Sequence, residues 1–207
     1  MPRPPMSAET LLEVSRRCAQ VLARDGAGAS TKTLVAASGL SERTFFRCFQ
    51  TKAECIRPLL EDGYRRFVSE VSSRCGNGGD SSLLAVVTVA FAVAYAKDSA
   101  PDGELARLLV EAPAYRRIWL EINDDTAASL VEPLASALGV PTDSFEARIA
   151  ADQATSLAVT AMRGIVRSGL SATDAANQAA EAIRRQPLLR EKQTNTRGAA
   201  PKEGITP

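Results

Sequence analysis

Between Ser30 and Glu54 the chain reads STKTLVAASGLSERTFFRCFQTKAE, and most of its side chains with chemical reach are gathered there. Ser30, Thr31, Lys32, Ser41, Arg43, Thr44, Arg47 and Lys52 supply hydroxyls and cations that can bond anionic oxygens. A guanidinium can also grip a guanine edge through two parallel hydrogen bonds. Other chemistries are poorly served. Histidine is absent from all 207 residues, which excludes His-based triads and His-containing metal sites. No nucleophile has a plausible base, no glycine-rich loop follows a strand, and no metal cluster or cofactor motif stands out. Asp124, Asp125 and Asp152 read as surface charges on helices.

The elements that must hold these residues are helical. Ser7 caps a first helix with Glu9 in its first turn, Leu11, Val14, Cys18, Val21 and Leu22 form one apolar face, and Asp25-Gly26 ends it. A second helix runs from about Thr31 to Ser38, with Leu34 and Val35 inward, and stops at Gly39, the residue type suited to a left-handed turn. Ser41 caps a third, in which Phe45 and Phe49 share a face while Glu42, Arg43, Phe46 and Arg47 point elsewhere. Two helices joined by a short turn containing Gly are the helix-turn-helix pattern, whose second helix enters the DNA major groove. Thr51 and Glu54 are spaced as a capping box for a long fourth helix, which Pro58 interrupts near its first turn and could kink into a hinge.

Beyond the glycine-rich stretch that ends near Asp80 the pattern stays helical and no segment alternates as a strand would. Ser81 or Ser82 opens an apolar helix over 83–96, interrupted only by Thr88; it is too short to span a bilayer and reads as buried on all sides. Pro101 starts a helix to Glu111. Pro113 precedes a long one through Leu138 that Pro133 kinks, and Thr142 or Asp143 caps another to Ser168. Ser171 and Asp174 cap the last, striped by Ala172, Ala175, Ala176, Ala179, Ala180 and Ile183. The ends, 1–6 and 188–207, have the composition of disordered segments.

Bulk properties agree with one nucleic-acid-binding end. Through Arg57 there are nine basic and five acidic residues, a balance of +4, against 16 basic and 19 acidic in the remainder. The 45% apolar content is ample for a core. Four cysteines without Cys-x-x-Cys spacing, and no secretory signal peptide at the start, fit a reducing cytoplasmic setting. Cys48 and Cys55, near the reader, are candidates for oxidant sensing, with plain packing as the alternative.

With these residues in view, the N-terminal quarter resembles the TetR family of bacterial one-component transcription regulators. Leu34 to Ser41, then Thr44-Phe45-Phe46-Arg47-Cys48-Phe49 and Lys52, are similar to that family's turn and reader. The segment from Arg107 to Arg117 resembles, less closely, an actinobacterial subgroup that includes mycofactocin-type regulators. The resemblance implies an all-α fold of about nine helices. It implies a three-helix DNA-binding domain over 7–52 and an effector-binding and dimerisation domain over 53–187. It also implies a homodimer on palindromic double-stranded operator DNA, acting as a repressor and released by a small apolar or amphiphilic effector, with no membrane association.

Expected DNA contacts are Ser30, Thr31, Lys32, Thr44 and Lys52 to phosphate, and Arg43 in preference to Arg47 to bases. Ser41, Glu42 and Phe46 share that face. Expected cavity residues are Tyr64, Phe67, Phe91, Tyr95, Tyr115, Trp119, Asn123 and Met162. The faces of Ala150, Ala154, Leu157, Ala161 and Ile165 and of the last helix are expected to pair in the dimer. Phe46 and Cys48 replace residues that commonly bond phosphate in the family. A second reading is therefore a ligand-binding or interaction protein of the same fold that does not bind DNA.

Overall fold

The computed structural model describes residues 6–76, 82–96 and 103–185. Its first three helices are α1 (Ala8–Asp25), α2 (Thr31–Ser38) and α3 (Glu42–Cys48). They begin with one device used three times. Ser7, Ser30 and Ser41 each accept a hydrogen bond from the backbone N–H of the threonine three residues on, at 3.1–3.3 Å, and pair with that threonine's hydroxyl at 2.8–2.9 Å. Gly39, at φ +72°, makes the turn between α2 and α3, where a Cβ would be strained. Phe45 and Phe49 are buried edge to face, 5.1 Å between centroids, so the seven-residue α3 is held by packing it could not do without.

The body comprises α4 (Arg57–Gly76), α5 (Leu83–Ala94), α6 (Gly103–Glu111), α7 (Pro113–Leu138), α8 (Phe145–Ser168) and α9 (Ala172–Arg184). Among the described residues there are nine α-helices and no strand. α7 lies between α4 and α8, α5 covers α4 and packs on α9, and α6 crosses α1, α7 and α8. The buried apolar cluster is continuous from Val14 to Ala180. The division expected after Lys52 falls on a short 3-10 turn, Ala53–Ile56, which packs against both α1 and α7.

Several local expectations are corrected. The Thr51–Glu54 capping box does not form, because Glu54 turns its carboxylate to Arg57 at 2.6 Å instead. Pro58 is the second residue of α4, where its missing N–H has no helical partner to lose, so it starts the helix and does not break it. Its neighbour's orphan donor is supplied from outside, since Leu59 N–H donates to Ser15 Oγ at 3.1 Å. Ser144 caps α8, in place of Thr142 or Asp143, by accepting from Ala147 N–H at 3.2 Å.

α5 is not buried all round: Val89 and Val93 are exposed, because the neighbouring helices cover only part of its circumference. The alanine faces of α8 and α9 are spent within the chain. Ala154, Leu157 and Ala161 are buried, as are Ala175, Ala176, Ala179 and Ala180, where the two helices pack on each other and on their neighbours, while Ala150, Ile165, Ala172 and Ile183 are half-buried at the edges of these faces. The outward side of α8 carries Phe145 and Ile149. The expected disordered tail and the start at Pro101 lie outside the described residues.

The Ser15–Leu59 bond gives a direct test of how α1 is fixed to the body. Ser15→Ala leaves a partly buried donor unpaired and is expected to destabilise by about 1 kcal/mol. In a chain of this size that lowers Tm by roughly 2–4 °C in a thermal melt. An unchanged Tm would show that the bond contributes nothing.

Candidate nucleic-acid interface and effector cavity

Lys32, Arg43, Phe46 and Arg47 are exposed on α2 and α3, and Thr31 and Thr44 are half-buried beside them. None of Lys32, Arg43 and Arg47 enters an ion pair among the described residues. That contrasts with α1 and the body, where most arginines are paired. Ser30, Ser41 and Thr44 spend hydroxyl capacity on capping. At the start of α2, the Ser30 side chain accepts from Thr33 N–H, while the first amides of a helix have no carbonyl partner within it.

Lys52 differs from expectation. Its ammonium donates to the carbonyls of Ala27 at 3.2 Å and Ala29 at 2.9 Å, which ties the loop before α2 to the turn after α3. Two of its three protons are therefore committed to holding the reader's shape.

Behind the reader, four charged side chains form a clamp. Arg57 donates to Glu54 at 2.6 Å and to Glu121 of α7 at 2.5 Å, and Arg117 lies 3.8 Å from Glu54 and 3.5 Å from Glu121. The bond to Glu54, aided by that to Glu121, raises the Arg57 guanidinium above its usual range. Arg57 in turn holds the Glu121 carboxyl below the ordinary carboxylate value.

Cys18 and Cys55 are both fully buried on this axis, and the Cys18 thiol donates to the Leu34 carbonyl at 3.9 Å. The neighbouring Cys18 thiol, together with burial, pushes the Cys55 thiol far up. Cys55 is thus a protonated packing group, and its thiol neighbour is Cys18, not the half-buried Cys48.

A cavity of about 630 Å³ opens between α1, α4, α6, α7 and α8. Of the expected cavity residues, Tyr64, Tyr95, Trp119 and Met162 line it. Trp119 Nε1 donates to Tyr64 Oη at 2.6 Å, and the Arg163 guanidinium stacks 5.9 Å from the Trp119 ring. Burial pushes the Tyr64 and Tyr95 phenols well above their usual range, so both are neutral hydrogen-bonding groups near pH 7.

Phe67 and Phe91 are not on the wall; they pack edge to face in the core, 6.3 Å apart. Tyr115 is buried near the reader, beside Cys18 and Cys55, with burial raising its phenol to about 12. Asn123, one turn beyond Trp119, is buried outside the lining with both amide atoms unpartnered. Sequence reasoning missed the α1 contribution, Arg16, Ala19, Gln20, Ala23 and Arg24, and missed Gly63. A glycine inside an otherwise helical run was the available signal, because it marks close approach or open space.

No family model matches the sequence, and no curated protein sequence does either. Solved structures do match. A Rhodococcus sp. protein assigned to the TetR-family transcriptional regulators superposes with a TM-score of 0.57 at 18% identity, covering 86% of this chain and 98% of that one. The fold is that of TetR-family regulators. A second such protein, from Mesorhizobium loti, gives 0.53 at 15% identity over 87% of this chain and 97% of the other. The fatty acid degradation regulator FadR from Bacillus halodurans gives 0.54 at 16% identity over 92% of this chain and all of that one, 100%. In this TetR-like frame, the unpaired cations lie on the helix-turn-helix and the cavity lies where α1 meets the body. No helix among the described residues is long and apolar enough to cross a membrane.

The clamp has a pH signature. A carboxylate with a lowered folded-state pKa contributes stability that is fully present above its unfolded value, about 4.3 for Glu, and lost as pH falls through the lowered value. Arg57→Gln is therefore expected to melt below the native chain at pH 7, with the two Tm values converging as pH falls through the lowered Glu121 value. Parallel Tm–pH curves would show that Glu121 draws nothing from Arg57.

Proposed function

We propose that the chain is a one-component transcriptional regulator. It binds palindromic double-stranded operator DNA as a homodimer, acts as a repressor, and is released by a small apolar or amphiphilic effector. The observation that carries this reading is the trio Lys32, Arg43 and Arg47, exposed on the two helices of the reader and in no ion pair among the described residues. Unpaired cations on one surface are the electrostatic footprint that phosphate neutralisation requires.

Roles divide by geometry. Lys32 with the amides at the start of α2, supported by Ser30 and Thr31, grips phosphate and sets register. Thr44 and the remaining proton of Lys52 do the same on the other side of the turn. Arg43, in the first turn of α3, reads a base, with Arg47 one turn further on. Phe46, at 41% exposure, offers an apolar surface to sugar or backbone. The dimer forms through the outward stripe of α8, Phe145, Ile149, Ser156 and Thr160, where Phe145 is 85% exposed. It places two readers roughly 34–36 Å apart. The effector occupies the cavity at Tyr64, Tyr95, Trp119 and Met162.

Selection from a random DNA pool tests the whole reading by yielding a half-site and its spacing, and an unenriched pool sinks it. On the selected site, Arg43→Ala is expected to lose about 1–3 kcal/mol of discrimination at one base pair. Lys32→Ala should weaken all sequences alike and reduce the salt slope by about one. A uniform loss for Arg43→Ala would remove it as the base reader. Separately, Ile149→Arg is expected to sediment as a monomer at concentrations where the native chain is dimeric; an intact dimer would place the interface elsewhere.

A further inference from the structure

The cavity is walled by two kinds of surface. Inside, Leu60, Leu105, Leu109 and Met162 are buried beside the Tyr64, Tyr95 and Trp119 rings. Toward solvent, Arg16, Gln20 and Arg24 stand on α1 at spacings of four, on one stripe of the helix, with Arg66 across from them on α4. The space exists because the apposed backbone positions are small: Ala19 and Ala23 on α1, and Gly63 on α4, whose missing Cβ would come 3.5 Å from the Tyr95 hydroxyl.

Among the described residues that line it, three guanidinium groups, of Arg16, Arg24 and Arg66, stand with one carboxylate, Glu104, which also pairs with Arg107 of its own helix. Arg24 holds Asp25 and Arg66 holds Asp62, both outside the lining. Arg16 makes no hydrogen bond among the described residues. Its nearest carboxylate, Glu13, is 4.0 Å away and already bonded to Arg17 at 3.1 Å. Its donors are therefore open at the mouth of an apolar hollow, beside the amide of Gln20.

We propose that this cavity takes an organic anion, an aromatic or aliphatic acid. Its apolar body lies on the Leu60, Trp119 and Met162 side, and its acid group lies on Arg16, Gln20 and Arg24. The proposal rests on the effector reading above and adds the ligand's charge and its point of action. A charge-assisted bond to α1 acts on the helix that carries the reader itself, so the signal needs no relay through a kink at Pro58. The anion must favour the arrangement that cannot hold DNA, and it can do so because α1 and α6 meet across the cavity it fills.

The test uses the full chain and two fluorescent probes with the same aromatic body. They are 1-anilinonaphthalene-8-sulfonate and its neutral counterpart N-phenyl-1-naphthylamine. The sulfonate is expected to bind at least about tenfold more tightly. Arg16→Gln combined with Arg24→Gln, both on an exposed surface, should bring it down to the affinity of the neutral probe and leave that probe unchanged. Ala23→Leu, which fills the hollow, should weaken both. Arg116→Gln combined with Arg167→Gln, exposed arginines of α7 and α8 away from the lining, is the control for net charge.

If the two probes bind equally and the arginine variants change nothing, the anion proposal is overturned while the cavity stands as a binding site. The proposal also falls if the Arg116→Gln and Arg167→Gln control matches the Arg16→Gln and Arg24→Gln variant, or if Ala23→Leu leaves the sulfonate's affinity intact. If neither probe binds, the effector reading itself fails.

Discussion

The helix α1 has to satisfy two partners at once, and the rest of the molecule follows from that. One part of its apolar face, with Cys18 and Leu22, closes over α2 and the turn at Ala53–Ile56. Another part meets α4, where the buried Ser15 hydroxyl completes the hydrogen bonding of Leu59. A helix that is shared in this way transmits orientation. The seven-residue α3 has too few bonds of its own to hold a direction in water, and it inherits one from the Phe45–Phe49 packing and from α2, which α1 braces in turn.

Electrostatics divide the molecule along the same axis. At the junction, Arg57, Glu54, Glu121 and Arg117 neutralise one another within a network that joins the turn before α4 to the middle of α7. Forward of it, Lys32, Arg43 and Arg47 enter no ion pair among the described residues and leave their charge exposed to solvent. Lys52 stands between the two regimes. It is a cation whose charge is turned to backbone carbonyls, so the turn geometry that presents the others is itself held by a charged group.

The cavity follows from omission. Ala19, Ala23 and Gly63 place almost no side-chain volume where α1 and α4 face each other, and the large groups nearby are committed elsewhere, Trp119 to Tyr64 and to Arg163. A glycine within a long helix weakens it by about 1 kcal/mol relative to alanine, which is tolerable where α4 is braced by α5 and α7 over much of its length. The void lies against α1, so whatever fills it touches the element on which the reader depends.

Much of this was legible from residue order, and the legible parts share a cause. Caps, the Gly39 turn, the apolar stripes and the Phe45–Phe49 pair are interactions between residues three or four apart, and such spacing is visible in a string of letters. The helix-turn-helix geometry from Thr31 to Phe49 and the all-helical class could therefore be read directly. The failures were also physical. Glu54 looked like half of a capping box until Arg57 and Arg117 competed for it, and the alanines of α8 and α9 looked like an intersubunit seam until the chain's own helices covered them. Local sequence determined which helices form and which faces are apolar. Only tertiary packing decided which face meets which, where Cys55 finds Cys18, and that α1 lines the cavity, because those choices depend on distances between residues far apart in the chain.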